Sequence, residues 1–232
     1  MRLAALSDIH GNLAALDAVL DDITRRGCDG IVNLGDIASG PLWPRETLER
    51  LLPLGLPTIA GNHERQLLGD AATLAPSDAH ARHALTAAQL DWIRRLPGLL
   101  RLDDVLLCHG TPHSDVDYLL EDIDDPAGTV HPAAADTVAA RLRHPMADGA
   151  GLVLCGHSHT PRRLRLADGR LACNPGSVGL PAFDAAVQDA QQGVPAGAAR
   201  DPGRAQRFRS RAGLEFRIAA FLSGMRIRRT GA

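Results

Sequence analysis

The chain has 232 residues, 45% apolar and 22% charged, a balance that supports a packed core and excludes an intrinsically disordered protein. No apolar run approaches the roughly 20 residues that span a bilayer, and the chain opens on the strand-like Arg2 to Leu6 and not on a signal segment, so a cytoplasmic protein without membrane contact is expected. The net charge of −2 is unevenly spread: nine arginines face three acids from Ala185 onward, a balance of +6 that leaves −8 for residues 1 to 184, and an acidic body lacks the footprint of a nucleic-acid binder.

Arg2 to Leu6 reads as a short apolar strand ending at Ser7 and Asp8, followed by Leu13, Leu16, Leu20 and Ile23 at helical spacing until Gly27. Ile31 to Leu34 is a second strand that ends at Gly35 and Asp36, and Thr58 to Ala60 a third that ends at Gly61 and Asn62. Residues 77 to 96 have a helical pattern, with Thr86 placed to cap the segment from Ala87 and with the character of a lid or cap. Leu99 to Leu102 and Val105 to Cys108 form a hairpin about Asp103 and Asp104. A helix over 134 to 143, a buried strand over Leu152 to Cys155, and a second hairpin of Arg162 to Leu166 with Arg170 to Cys173 complete a layered α/β domain. Cys28, Cys108, Cys155 and Cys173 form no CxxC pair, so they are expected as reduced thiols.

Metal-ligand residue types recur at the strand ends, each beside a glycine: Asp8 and His10 in SDIHGN, Asp36 in GD, Asn62 and His63 in GNHE, His109 in CHG, and His157 and His159 in GHSH. A backbone leaving a strand must turn sharply if side chains from distant segments are to converge, and glycine permits that turn. Each motif alone is weak; their ordered co-occurrence is the signal.

The ordered set resembles the calcineurin-like metallophosphoesterase superfamily, from Asp8 to His159 and on through the NPGSVGLP segment, roughly the first four fifths of the chain. GDIASGP lacks the Asp-Arg-Gly of the protein serine/threonine phosphatases, which places the resemblance in the small bacterial branch. It implies a four-layer αββα sandwich, two mixed sheets flanked by helices, over residues 1 to 184. It also implies two divalent ions, one held by Asp8, His10, Asp36 and His159, the other by Asp36, Asn62, His109 and His157, with Asp36 bridging. Manganese is the first expectation by resemblance, and iron, zinc, cobalt and nickel also suit oxygen and nitrogen donors. His63 would contact the phosphoryl group and protonate the leaving oxygen. The activity implied is hydrolysis of a small phosphomonoester or phosphodiester by a metal-activated water. The alternatives are a dinucleoside polyphosphate or cyclic nucleotide hydrolase, and a non-catalytic scaffold that retains the site.

His80, His83, His131 and His144 fit no ligand spacing, and His113 and Asn12 are weak candidates for the phosphate site. Glu64 and Arg65, which follow His63, read either as groups that orient it or meet substrate or, equally, as an ordinary helix-start carboxylate with a solvated arginine. Residues 185 to 232 form an Arg-rich tail that departs from the resemblance. Its breakers Pro195, Gly197, Pro202 and Gly203 leave only Leu214 to Phe221 with strand-like alternation.

Overall fold

The computed structural model describes residues 2–124, 128–180, 206–209 and 215–218. The first half holds β1 (Leu3–Leu6), α1 (Leu13–Arg26), β2 (Gly30–Asn33), α2 (Pro44–Leu51), α3 (Asn62–Leu67), α4 (Pro76–Ala84) and α5 (Ala87–Arg94). The second holds β3 (Leu99–Leu102), β4 (Val105–Cys108), β5 (Glu121–Asp124), β6 (Thr129–Pro132), α6 (Ala135–Arg141), β7 (Leu152–Leu154), β8 (Arg162–Arg165) and β9 (Leu171–Asn174). Two short antiparallel strands follow, β10 (Gln206–Arg209) and β11 (Glu215–Ile218).

β1 and β2 pair in parallel, while the second half forms a mixed five-stranded sheet in the order β3-β4-β7-β9-β8. Period-two alternation decides what each strand face meets. Leu3 and Val32 of the first sheet, with Leu34 and Ile59 beside it, pack with Val105, Leu107, Leu152, Leu154, Leu171 and Cys173 of the second. Between these residues, Ala4 and Leu6 turn toward Leu16, Leu20 and Leu48 of the α1 and α2 region. Leu106, Cys108 and Val153 turn toward Val138 and Leu142 of the α6 region. Leu6, Leu16, Leu48 and Leu106 are all fully buried, so truncating any one to alanine should cost about 2–5 kcal/mol.

Two expectations need correction, the strand at Thr58 to Ala60 and the lack of any strand in the tail before Leu214. Thr58 to Ala60 makes a single parallel bridge, Asn33 to Thr58, and no full strand. Pro57 has no N–H to extend the ladder, and the Ala60 N–H leaves for Pro97 O at 2.8 Å. The helical region 77 to 96 is interrupted at Leu85, which is extended (φ −73°, ψ 143°), and Thr86 caps α5 as expected through a reciprocal pair with Gln89. Ala81, Leu85 and Ile93 of this region are part of the core around α1. In the tail, β10 occupies a stretch where the sequence showed no strand pattern. Residues 185–205, 210–214 and 219–232, where most of the tail expectation falls, lie outside the described residues.

Candidate metal centre

The strand ends of both sheets converge on one point. The turns after β1 and β2 are zipped together by Asp8 N–H to Gly35 O and His10 N–H to Asp36 O, each 3.0 Å. From the second sheet, the Gly156 N–H donates to His109 O at 2.7 Å, which ties the β4 turn to the β7 turn. The NPGS segment closes the floor: Ser177 Oγ donates to Asp8 O at 2.7 Å and Asn174 Nδ2 to Gly156 O at 2.6 Å. Neither Asn174 nor Ser177 belongs to a metal-ligand motif.

This convergence is strained. Six described non-glycine residues have left-handed backbone, and five of them, Asp8, His10, Asp36, His157 and His159, are candidate ligands (φ between 49° and 67°). Such conformations cost on the order of 1–3 kcal/mol each and persist only where the surroundings impose them. Close approach explains two glycines. A Cβ on Gly61 would sit 2.2 Å from Asp36 Oδ1, and one on Gly156 would sit 2.1 Å from Ser7 Oγ.

Two donor clusters result, Asp8, His10, Asp36 and His159 in one and Asp36, His109 and His157 in the other, each with donor atoms within 4.8 Å of one another. Asp36 is common to both. Asn62 joins the second, its Oδ1 3.1 Å from His109 Nε2. The histidine tautomers follow from their outer partners, because a carbonyl can only accept. Nδ1 of His10 donates to Ser39 O (2.7 Å), of His109 to Leu34 O (2.7 Å) and of His159 to Leu180 O (2.6 Å). In each ring Nε2 is left to face the centre. His157 is reversed: its Nε2 donates to Val116 O at 2.9 Å, leaving Nδ1.

The residues present fit divalent ions. His10 Nε2 and His159 Nε2 stand 3.1 Å apart, two lone pairs that repel unless a cation or a proton lies between them. Burial alone would push the Asp36 carboxyl up, but the facing His109, His63 and His10 rings hold it well below the usual carboxylate range. Burial works to lower His109 as well, and the Asp36 and Asp8 carboxylates overcome it, lifting His109 to about 10. His159 is raised against burial by Asp8, whereas burial lowers His10, and burial with His109 lowers His157. His109 and His159 thus favour protons on nitrogens that a bound cation would need bare.

His63 lies beside this group. Its N–H donates to Asp36 Oδ1 at 3.0 Å, its ring meets that of His10 edge-on with centroids 5.3 Å apart, and its Nδ1 faces Asp78 Oδ1 at 2.8 Å. Glu64 is a helix-start carboxylate in the first turn of α3. It is buried and accepts from the N–H groups of Asp36, Ile37 and Gly61 at 2.7–2.8 Å. Burial and the nearby Asp36 carboxylate push its pKa up, and those three donors pull against that. Arg65 makes a two-pronged ion pair with Asp115 at 2.7 and 2.8 Å. His113 is turned to Arg143 O, and Asn12 is spent capping α1 and holding Gly179 O, so neither joins the centre. Beyond His157, whose ring lies 5.1 Å from that of Tyr118, Thr111, Val116, Tyr118 and Ile123 help line a cavity of about 390 Å³.

The model of the calcineurin-like phosphoesterase superfamily domain matches residues 1–191. The chain belongs to this superfamily. An uncharacterized protein of Methanocaldococcus jannaschii is 29% identical over 206 residues, 77% of this chain and 76% of its own length. The crystal structure of a metallophosphoesterase from Sphaerobacter thermophilus is 26% identical, with a TM-score of 0.60 over 81% of this chain and 85% of that one. The archaeal relative keeps the assignment at the level of the superfamily and does not support a specifically bacterial branch. The α/β architecture with mixed sheets and flanking helices is that of the calcineurin-like phosphoesterases. No helix among the described residues is long and apolar enough to cross a membrane.

Proposed function

We propose that this protein hydrolyses small phosphate esters at a dinuclear metal centre. The observation that carries the reading is the pair of donor clusters sharing Asp36, with His63 at their edge. Asp8, His10, Asp36 and His159 would hold one ion, and Asp36, Asn62, His109 and His157 the other. When bound, such ions polarise phosphoryl oxygens and lower the pKa of water, so that a nucleophile is available at neutral pH. The chain contributes the rest. The backbone carbonyls of Ser39, Leu34, Leu180 and Val116 fix the ligand imidazoles, so little reorganisation is required as charge develops on the ester. Asp36 links the clusters and, through the His63 N–H, sets the start of α3. His63 then offers a proton to the departing oxygen.

The three apolar clusters fit a helix–sheet–sheet–helix reading of residues 1 to 184, the αββα sandwich, with the site at the strand-end edge. A metal-by-substrate screen tests the function. Manganese, iron, zinc, cobalt and nickel would each be paired with an aryl phosphomonoester, an aryl phosphodiester and a dinucleoside polyphosphate. Turnover that vanishes on chelation and returns with one of these ions supports the proposal. Undiminished turnover after complete metal removal, or none with any fully loaded form, counts against it.

A further inference from the structure

Asp78 is an acidic residue in the first turn of α4, where a carboxylate ordinarily faces the helix's own free N–H groups from the surface. Here it is 1% exposed. Its Oδ1 meets Nδ1 of His63 at 2.8 Å and accepts a hydrogen bond from Ser39 Oγ. The main chain of Ser39 meanwhile accepts from Nδ1 of His10 at 2.7 Å. One residue of the β2–α2 loop therefore holds a candidate metal ligand with its carbonyl and braces the partner of His63 with its hydroxyl.

We propose that Asp78 is the positioning residue for His63, fixing which ring nitrogen faces the substrate, with Ser39 as its brace. A carboxylate only accepts, so the Nδ1 proton is committed to Asp78 and any proton passed to substrate leaves from Nε2. A histidine free to rotate about its side-chain torsions presents either nitrogen and loses the alignment that proton transfer requires. The inference rests on the proposed role of His63 as proton donor, and it assigns that role's geometry to a helix outside the ligand motifs.

Kinetics with a series of leaving groups provide the test. Proton donation matters for a poor leaving group such as an alkoxide and little for 4-nitrophenolate. In the metal-loaded full chain, Asp78→Ala should lower kcat on an alkyl ester by about 10²-fold and on the 4-nitrophenyl ester by less than about 10-fold, with KM and metal content near wild type. Asp78→Asn, which keeps an oxygen within reach of both Ser39 and His63, should recover most of the alkyl-ester rate. His63→Ala is run beside them. If its loss depends on the leaving group and that of Asp78→Ala does not, the assignment of Asp78 is overturned and the donor role of His63 stands. If neither loss depends on the leaving group, both fall. A readout free of turnover covers a variant that fails to fold: ring 15N shifts of the zinc-loaded wild type, assigned by their absence in His63→Ala. A proton on Nδ1 of His63 is expected, and a bare Nδ1 overturns the proposal.

Discussion

Asp36 and His63 are one hydrogen bond apart, yet their replacement should fail in different ways. His63→Ala should lower turnover about 10²- to 10⁴-fold, the usual contribution of a positioned proton donor, and leave metal content intact. Asp36→Asn should lose both, because it removes charge from both clusters at once. Elemental analysis beside rate measurement separates the variants, and equal metal loss in the two would reverse the assignments. At this scale the sequence was informative where chemistry repeats. Seven candidate ligands and His63 stand in short glycine-flanked motifs, and the structure brings those side chains to one place. Asp78 was illegible because an acid near a helix start is what any solvated helix shows. Only the fold reveals that it is buried against His63.

Among elements, the strands and their turns followed from apolar runs that end in Gly-Asp or Gly-His, and the Thr86 cap from a sequence pattern that is local by nature. The β5–β6 hairpin and α2 were missed. Glu121 to Asp124 carries three acids in four residues, and its pairing with Thr129 to Pro132 is not announced by alternation. α3 was signalled only by Glu64 as a helix-start carboxylate, because its six residues, NHERQL, are too few to display a period. Its start depends instead on Glu64, which gathers three N–H groups from two segments. Glu64→Ala should strand those donors in the interior and destabilise the fold by about 3–5 kcal/mol, and Glu64→Gln should fall between, since one of its two terminal atoms still accepts. Denaturant midpoints at constant m-value measure this. A change below about 0.5 kcal/mol in Glu64→Ala would mean that α3 is held by its apolar contacts, chiefly Leu67.

For the whole molecule, the decisive feature is that the donors come from both sheets. Asp8, Asp36 and Asn62 follow strands or the bridge of the first, and His109, His157 and His159 follow β4 and β7 of the second. Every one precedes residue 160 and lies within residues 1–191, the span matched by the superfamily domain. An ion held across the two sheets binds only when both are formed, so metal should stabilise the domain as one unit. At a free concentration one hundred times Kd, that is about 2.7 kcal/mol per site, or an increase of roughly 5–11 °C in Tm for a chain of this size. The effect must also depend on pH, and its sign follows from the protons described above. His109 is lifted to about 10 and His159 is raised in the metal-free fold. Their contribution to the metal-free protein is therefore full below the unfolded histidine value of about 6.5 and is lost as pH rises through the folded values. Metal needs those same nitrogens without their protons, so loading should release protons, and the Tm gain should grow as pH climbs from about 6.5 toward 10. Thermal unfolding with and without chelator across that window, together with calorimetry in buffers of differing ionisation enthalpy, measures both quantities. A Tm gain that is flat with pH and a binding heat independent of buffer would show that His109 and His159 are already unprotonated in the metal-free fold, and that the close nitrogens around Asp36 are held apart by something other than a proton.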